Sequence, residues 1–329
     1  MKLGNTQKKI LLKLAGNKTS YREDLARSVG ISKPALTMAV KSLSEEGLVL
    51  EKAEANGKVG RNRSVLSLSP SVGEFLSVDV KPSSYTVLLS SFDLAVLKED
   101  KFLDGPSFLK ALPSYLSGNI LSAGITYRGE RAEFERNPVN RKMLDMLLGK
   151  GIPVSDKNNV DALAALYRTL RPEEKSFLLI KYGPGLGSSV YVRGEEAEDR
   201  EGGRSEIGHV YLSDGRRLED VLSFKNLFGE ELSEEEGSKR LLENPSLYGK
   251  VLFYLALALA DADAFLCLDS IVLSGMLLSK EGVRRDLLKK ISSFNGAFRQ
   301  EKVVLYPDYA EQNRFKGIFS AFAEYLKTL

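Results

Sequence analysis

The chain has 329 residues, 28% of them charged, and its 47 basic against 44 acidic side chains leave a formal net charge of +3; that length buries more than one core and excludes a small single module. Its apolar run from Val251 to Ala260 is broken by Asp261 and Asp263, and Met1 to Gly4 open no charged-then-apolar leader, so neither membrane spanning nor secretion is expected. One cysteine, Cys267, and one histidine, His209, exclude a disulfide and a tetrahedral Cys/His zinc site, so the expectation is a cytoplasmic protein with no structural metal and no cofactor.

The charge is unevenly spread. Residues 1–69 hold 13 basic against 6 acidic side chains, a net of +7 that leaves −4 for the rest. A basic head on a mildly acidic body is the asymmetry of a chain that meets a polyanion at one end.

Three helical patterns fit the head. Thr6 to Leu14 carries Ile10, Leu11 and Leu14 on one stripe, and Tyr21 to Val29 repeats the pattern with Leu25 and Val29. Ser20, with Glu23 three positions on, predicts a capping box for this second helix, and Gly30 supplies the left-handed residue of a tight turn. Ser32 caps a third helix running to about Glu46, whose Leu36, Val40 and Leu43 face inward. Lys33, Thr37 and Lys41 then point elsewhere, spaced to enter a major groove. Leu48 to Leu50 and Val65 to Leu68 read as two strands joined by a basic hairpin tip, Asn56 to Arg63, from which Lys58, Arg61 and Arg63 would reach phosphates or a minor groove. Together these elements predict a winged helix-turn-helix domain over residues 1–70; the bland alternative is a charged, solvated face.

Beyond Pro70 strand and helix patterns alternate, the sign of an α/β body. Phe75 to Val80 and Tyr85 to Leu89 read as neighbouring strands, and Gly151 to Val154 as a buried strand following a helix. Phe177 to Tyr182 and Ser189 to Val192 form a hairpin across Gly183-Pro184-Gly185-Leu186-Gly187. A helix through Leu252 to Phe265, a strand at Ser270 to Leu273, a helix near Val283 to Phe294, a strand at Val303 to Leu305 and a last helix from about Ala310 complete the pattern.

Several of these stretches together resemble the ROK proteins, a family of repressors, open reading frames and sugar kinases. They are the head joined to Val78-Asp79-Val80, Gly151 to Val154 followed by Asn158-Asn159, the glycine loop at 183–187, and Glu206-Ile207-Gly208-His209 after Gly202-Gly203. The resemblance implies an α/β fold of two lobes, like actin or hexokinase and ribonuclease H-like, behind the winged head. It places a first lobe at 71–160 with 305–329 and a second at 161–304. It also implies a sugar ligand: Asn158, Glu206, His209 and Glu219 match the sugar-contact motif, and Asn159 stands at the catalytic carboxylate position, where it too would meet the sugar. Carboxylates accept from pairs of sugar hydroxyls, while an amide or imidazole both gives and takes. The alternative is that Glu206 and His209 hydrogen-bond a turn and Glu219 is a surface acid.

Three departures decide between enzyme and sensor. The amide of Asn159 cannot act as general base. Asp79-Val80 leads to Lys81-Pro82-Ser83 where a kinase of the family has glycines, and proline removes an amide donor. Asp214 to Glu219 replaces a cysteine cluster that binds zinc with the histidine in many family members. The expected function is a sugar-responsive transcriptional regulator, a repressor of carbohydrate metabolism without enzymatic activity. Its expected partners are operator DNA and a monosaccharide effector, and it would act as a homodimer or tetramer. The alternatives are a sugar kinase of the glucokinase or N-acetylglucosamine kinase type with an attached head, and a binding protein whose sugar pocket is vestigial.

Overall fold

The computed structural model describes residues 2–54, 63–198 and 203–329. Helix α1 (Asn5–Asn17) buries Ile10, Leu11, Leu14 and Ala15, as the stripe requires. A short strand β1 (Thr19–Tyr21) follows and leads directly into α2 (Arg22–Val29). The expected capping box at Ser20 does not form: Tyr21 is the N-cap and makes no side-chain cap bond. Ser20 is held extended opposite Leu66, so the sheet takes the residue the helix was expected to use. Gly30 closes α2 with φ 74°, and α3 (Lys33–Glu45) starts where the Ser32 hydroxyl accepts from the Ala35 amide at 3.4 Å. Strands β2 (Val49–Glu54) and β3 (Arg63–Leu68) pair antiparallel, and β3 also pairs with β1, giving a three-stranded sheet in the order β1-β3-β2.

Next come β4 (Glu74–Lys81), β5 (Ser84–Ser91) and β6 (Val96–Phe102), then α4 (Gly105–Tyr115), β7 (Ile120–Tyr127), α5 (Arg131–Arg136), α6 (Pro138–Gly149), β8 (Val154–Asn158) and α7 (Asn159–Leu170). The sheet runs β6-β5-β4-β7-β8; β4, β5 and β6 are antiparallel, while β7 and β8 run parallel to β4. The strand expected at Gly151 to Val154 starts only at Val154. Gly151, at φ 69°, and Ile152 instead hydrogen-bond back to Leu148 and Leu147, ending α6 before the chain can extend.

The remaining elements are β9 (Phe177–Tyr182), β10 (Leu186–Val192), β11 (Glu195–Glu196), α8 (Leu218–Leu222), α9 (Phe224–Phe228), α10 (Glu234–Glu243), α11 (Pro245–Leu266), β12 (Ser270–Ser274), α12 (Glu281–Phe294), β13 (Val303–Leu305) and α13 (Tyr309–Thr328). Their sheet is ordered β11-β10-β9-β12-β13, with β12 parallel to both β9 and β13, and β10 antiparallel to β9 and β11. Numbered within each sheet, both five-stranded sheets follow the order 3-2-1-4-5. β9 is buried along its whole length, which explains its nearly unbroken apolar run.

The chain divides into two compact units, Met1–Leu170 with Phe315–Leu329, and Arg171–Arg314. The first unit thus runs to Leu170 and takes in the head together with the first five-stranded sheet. The reason is a continuous apolar core. Ile10, Leu14 and Leu36 of the head share it with Phe75, Leu166 and Phe322 of the first unit. Phe75 and Phe92 both pack on Phe322, with ring centroids 5.4 and 5.3 Å away. The Leu3 amide donates to the Leu329 carbonyl at 2.7 Å, which ties the N-terminal segment to the end of α13.

α13 lies on the first sheet through two glycines. A Cβ on Gly124 of β7 would stand 1.9 Å from the Gly317 carbonyl oxygen, and one on Gly317 would stand 2.1 Å from Ser77 Oγ. The Ser122 hydroxyl donates to the Ala321 carbonyl at 2.6 Å beside this contact. Among the described residues, no helix is long and apolar enough to cross a membrane.

Backbone cannot yield as a flexible side chain can, so Gly124→Ala is expected to destabilise the protein by about 1–3 kcal/mol or more in chemical denaturation. Gly149→Ala is the control: a Cβ there meets nothing within 4 Å, and in a helix alanine is favoured over glycine by about 0.5–1 kcal/mol.

Candidate functional site

Three groups of residues carry the candidate chemistry, and each is held by a different part of the fold. In the head, burial of Leu36, Val40 and Leu43 turns the opposite face of α3 outward, and Lys33, Thr37, Met38 and Lys41 are all exposed on it. Met38 is 76% exposed. Thr37 donates back to the Lys33 carbonyl at 3.0 Å. Lys33 Nζ lies 2.6 Å from Glu23 and Lys41 Nζ 3.8 Å from Glu45. Both are solvent-exposed pairs of little net value, readily exchanged for another anion.

Beside this face, Arg22 forks onto Glu51 at 2.8 and 2.6 Å, joining α2 to β2. That hydrogen-bonded contact raises the Arg22 pKa and lowers that of Glu51. Arg22 Nη1 also reaches to 3.5 Å from Thr37 Oγ1. Sequence reasoning missed Arg22, because its partner lies 29 positions away and no periodicity links them. Lys58 and Arg61 lie outside the described residues. Arg63 opens β3 opposite Glu54.

The second unit gathers Glu206, His209 and Glu219. Glu206 accepts from the Ser188 amide at 3.1 Å and pairs with Arg204, while the Ser188 hydroxyl accepts from the Ile207 amide at 2.8 Å. These bonds pin a 3-10 turn, Ile207–His209, against β10. Gly208 lets the turn approach: a Cβ there would lie 2.7 Å from the Leu186 carbonyl oxygen. His209 is exposed at the turn's end, its Nε2 4.0 Å from Glu219 Oε2. Glu219 Oε1 in turn lies where a Cβ on Gly185 would be only 2.7 Å away. The glycine loop is shorter than the sequence suggested, since β10 already begins at Leu186. Of the glycine approach to this turn, Gly202 lies outside the described residues.

Asp214 to Arg217 forms the turn that delivers Glu219. Gly215 takes φ 80°, Arg216 Nε bonds Asp214 at 2.9 Å, and Leu218 is buried at the start of α8. The stretch offers no thiol, so these residues do not fit the site of cysteines and a histidine in which the family resemblance would place zinc.

The first unit holds Asn158 and Asn159. Asn158 ends β8 with a buried side chain whose amide donates to the Gly129 carbonyl at 2.9 Å and whose oxygen accepts from the Val160 amide at 2.9 Å. It thereby caps α7, and Asn159, half-buried, opens that helix. Asp79, on β4, accepts from Thr126 at 2.7 Å and lies 3.2 Å from Lys316 Nζ and 3.6 Å from Lys81 Nζ. Burial would raise its pKa, but Lys316, the Thr126 hydroxyl and Lys81 outweigh burial and hold it at about 2.

No protein-family model matches the chain. The xylose repressor of Staphylococcus xylosus is 21% identical over 249 residues; the match spans 68% of this chain and 64% of that repressor. A ROK family transcriptional regulator described as a homologue of the E. coli MLC protein superposes with a TM-score of 0.67 at 17% identity, covering 98% of both chains. A ROK protein from Streptococcus pneumoniae TIGR4, solved in complex with sucrose, gives 0.61 at 14% identity over 78% of this chain and 98% of its own. The ROK hexokinase of Thermus thermophilus gives 0.58 at 17% identity over 78% and 99%. The chain has the ROK fold, α/β and hexokinase-like, and its sequence is similar to that of a repressor.

The Asp79 cluster fixes a pH dependence. A carboxyl held below its unfolded pKa stabilises the fold above about pH 4, and that stability is lost as pH falls through about 2. Between pH 5 and pH 2 the protein is expected to lose about 2 kcal/mol that an Asp79→Asn variant does not lose. Denaturant titrations across that range read the difference.

Proposed function

We propose that this ROK-fold chain is a sugar-responsive, DNA-binding transcriptional regulator of carbohydrate metabolism, a repressor, and that its head is a winged helix-turn-helix. The observation that carries this reading is the outward face of α3, with Lys33, Thr37, Met38 and Lys41 exposed on a helix anchored by Leu36, Val40 and Leu43. Support comes from the transcriptional regulator that matches the chain from end to end, whereas the hexokinase covers 78% of it. The repressor similar in sequence is matched over 64% of its length, so its activity and ligand carry over only within this proposal.

The chemistry follows from the residues. Lys33 and Lys41 exchange their exposed carboxylate partners for phosphates, and Lys58, Arg61 and Arg63, which lie in sequence between Glu54 and Ser64, add cationic contacts. Thr37 presents a hydroxyl to base edges, and Met38 an apolar surface of the kind that packs on a thymine methyl. Two heads reading two half-sites require a homodimer or tetramer. In the second unit Glu206 and Glu219 accept from sugar hydroxyls, and His209 gives or takes as the hydroxyl requires. In the first unit, Asn159, and the donor and acceptor capacity Asn158 retains beyond its two structural bonds, are groups that also suit sugar hydroxyls. Asn159 offers no base for phosphoryl transfer, so the output is a change of state passed to DNA.

Two measurements test this. Lys33→Ala with Lys41→Ala should weaken duplex binding uniformly across sequences and lower the slope of log affinity against log salt by about 2. Fluorescence anisotropy across a salt series reads both effects, and an unchanged slope removes α3 from the interface. A monosaccharide at about a hundred times its dissociation constant should add about 2.7 kcal/mol to stability. His209→Ala should abolish that gain while leaving the sugar-free melting temperature in place, because His209 is exposed. Steady ADP production from ATP, magnesium and a hexose would favour the kinase reading instead.

A further inference from the structure

The second unit contains a buried polar cluster that the sugar and DNA residues do not use. Lys181, on the fully buried strand β9, is 6% exposed, and its Nζ lies 3.0 Å from Glu234 Oε2. The other oxygen, Glu234 Oε1, accepts from the Met276 backbone amide at 2.8 Å and from the Tyr309 hydroxyl at 3.0 Å. An ammonium, a backbone amide and a hydroxyl converging on the two oxygens of one carboxylate form the donor set of an oxyanion site.

The position in the fold is also that of a ligand. β9 and β12 are parallel neighbours, with Ser274 opposite Lys181, so Gly183 and Gly275 follow their carboxyl ends side by side. In open α/β sheets, ligands are bound just beyond the carboxyl ends of parallel strands. Both turns are built for close approach. A Cβ on Gly183 would meet Glu234 Cγ at 3.1 Å; Gly275 takes φ 103°, and a Cβ there would stand 2.2 Å from the Tyr182 carbonyl oxygen. Glu234 is brought in at the start of α10 behind the Ser233 cap. That helix is fixed by Gly237, where a Cβ would fall 2.1 Å from the Phe224 ring. Burial pushes the Glu234 pKa up, yet Lys181 and the Met276 amide outweigh it and hold the carboxyl below its ordinary range.

We propose that this is a phosphate-type oxyanion site occupied by the chain itself, with the Glu234 carboxylate standing where a phosphate group would bind. Glu234 thus keeps phosphate-bearing ligands away from the two glycine turns and holds the turns together without one. The proposal concerns the second unit alone and stands whether or not the head binds DNA.

The test uses the full chain, with inorganic phosphate and inorganic triphosphate as probes in thermal melts and calorimetric titrations. The wild type should respond to neither. Glu234→Ala should melt lower without anion, rise in melting temperature with phosphate or triphosphate, and bind one of them roughly tenfold or more tightly than the wild type does. The stronger of the two responses shows whether free phosphate or a longer polyphosphate chain fits. Glu234→Ala combined with Lys181→Met should recover stability without anion and respond to neither probe, since a buried pair replaced by apolar groups is often near neutral. If Glu234→Ala folds only when refolded with either anion, the site is supported. A folded Glu234→Ala that ignores both anions, an unfolded one that neither rescues, or a wild type that binds them equally well overturns the proposal.

Discussion

The close approach of α13 to the first sheet governs the arrangement of the first unit. It places a helix backbone against a strand backbone at Gly124 and Gly317, where neither position has room for a side chain. Once there, Phe322 packs on both Phe75 and Phe92, and the end of the helix meets the N-terminal segment at Leu3. A fully buried phenylalanine contributes about 1.5–3 kcal/mol, so this cluster outweighs any of the surface ion pairs on the head. A head that shares its core with the first sheet is held by that sheet.

Charge is handled in two contrasting ways. On the outer face of α3, Lys33 and Lys41 hold weak, exposed pairs that leave them available to another anion. Inside the units, Asp79 with Lys316 and Glu234 with Lys181 are enclosed by further hydrogen bonds. Buried charges tolerate enclosure only when paired and bonded, and removing one partner is costly. The first kind suits a surface that binds and releases; the second fixes geometry where sheets and turns meet.

Much of the fold could be read from sequence because periodicity and turn chemistry agree in it. Leu36, Val40 and Leu43 declared the inner face of α3, Gly30 its preceding turn, and the apolar run from Phe177 a central strand. β7 carries a weak strand signal because Gly124 and its small neighbours interrupt the apolar pattern, although the glycine is there to admit α13. β6 escaped notice because its charged Lys98 to Lys101 suit an edge strand with one side unpaired. Ser20 misled because a capping motif and a strand competed for it and the strand won through pairing with β3. At the candidate site, the Glu206 to His209 motif was visible as a pattern, whereas its supports, Ser188 and Arg204, depend on contacts that no spacing encodes. Glu234 sits among three consecutive glutamates at a helix start, and only the fold singles out the first of them.

The most direct examination is selection of duplexes from a random pool by the full-length chain, with and without monosaccharides. If α3 reads DNA, the pool should converge on an inverted repeat whose half-sites lie whole helical turns apart, and one monosaccharide should alter the yield. A pool that stays random at low salt, retained only in proportion to its charge, would contradict a sequence-reading head.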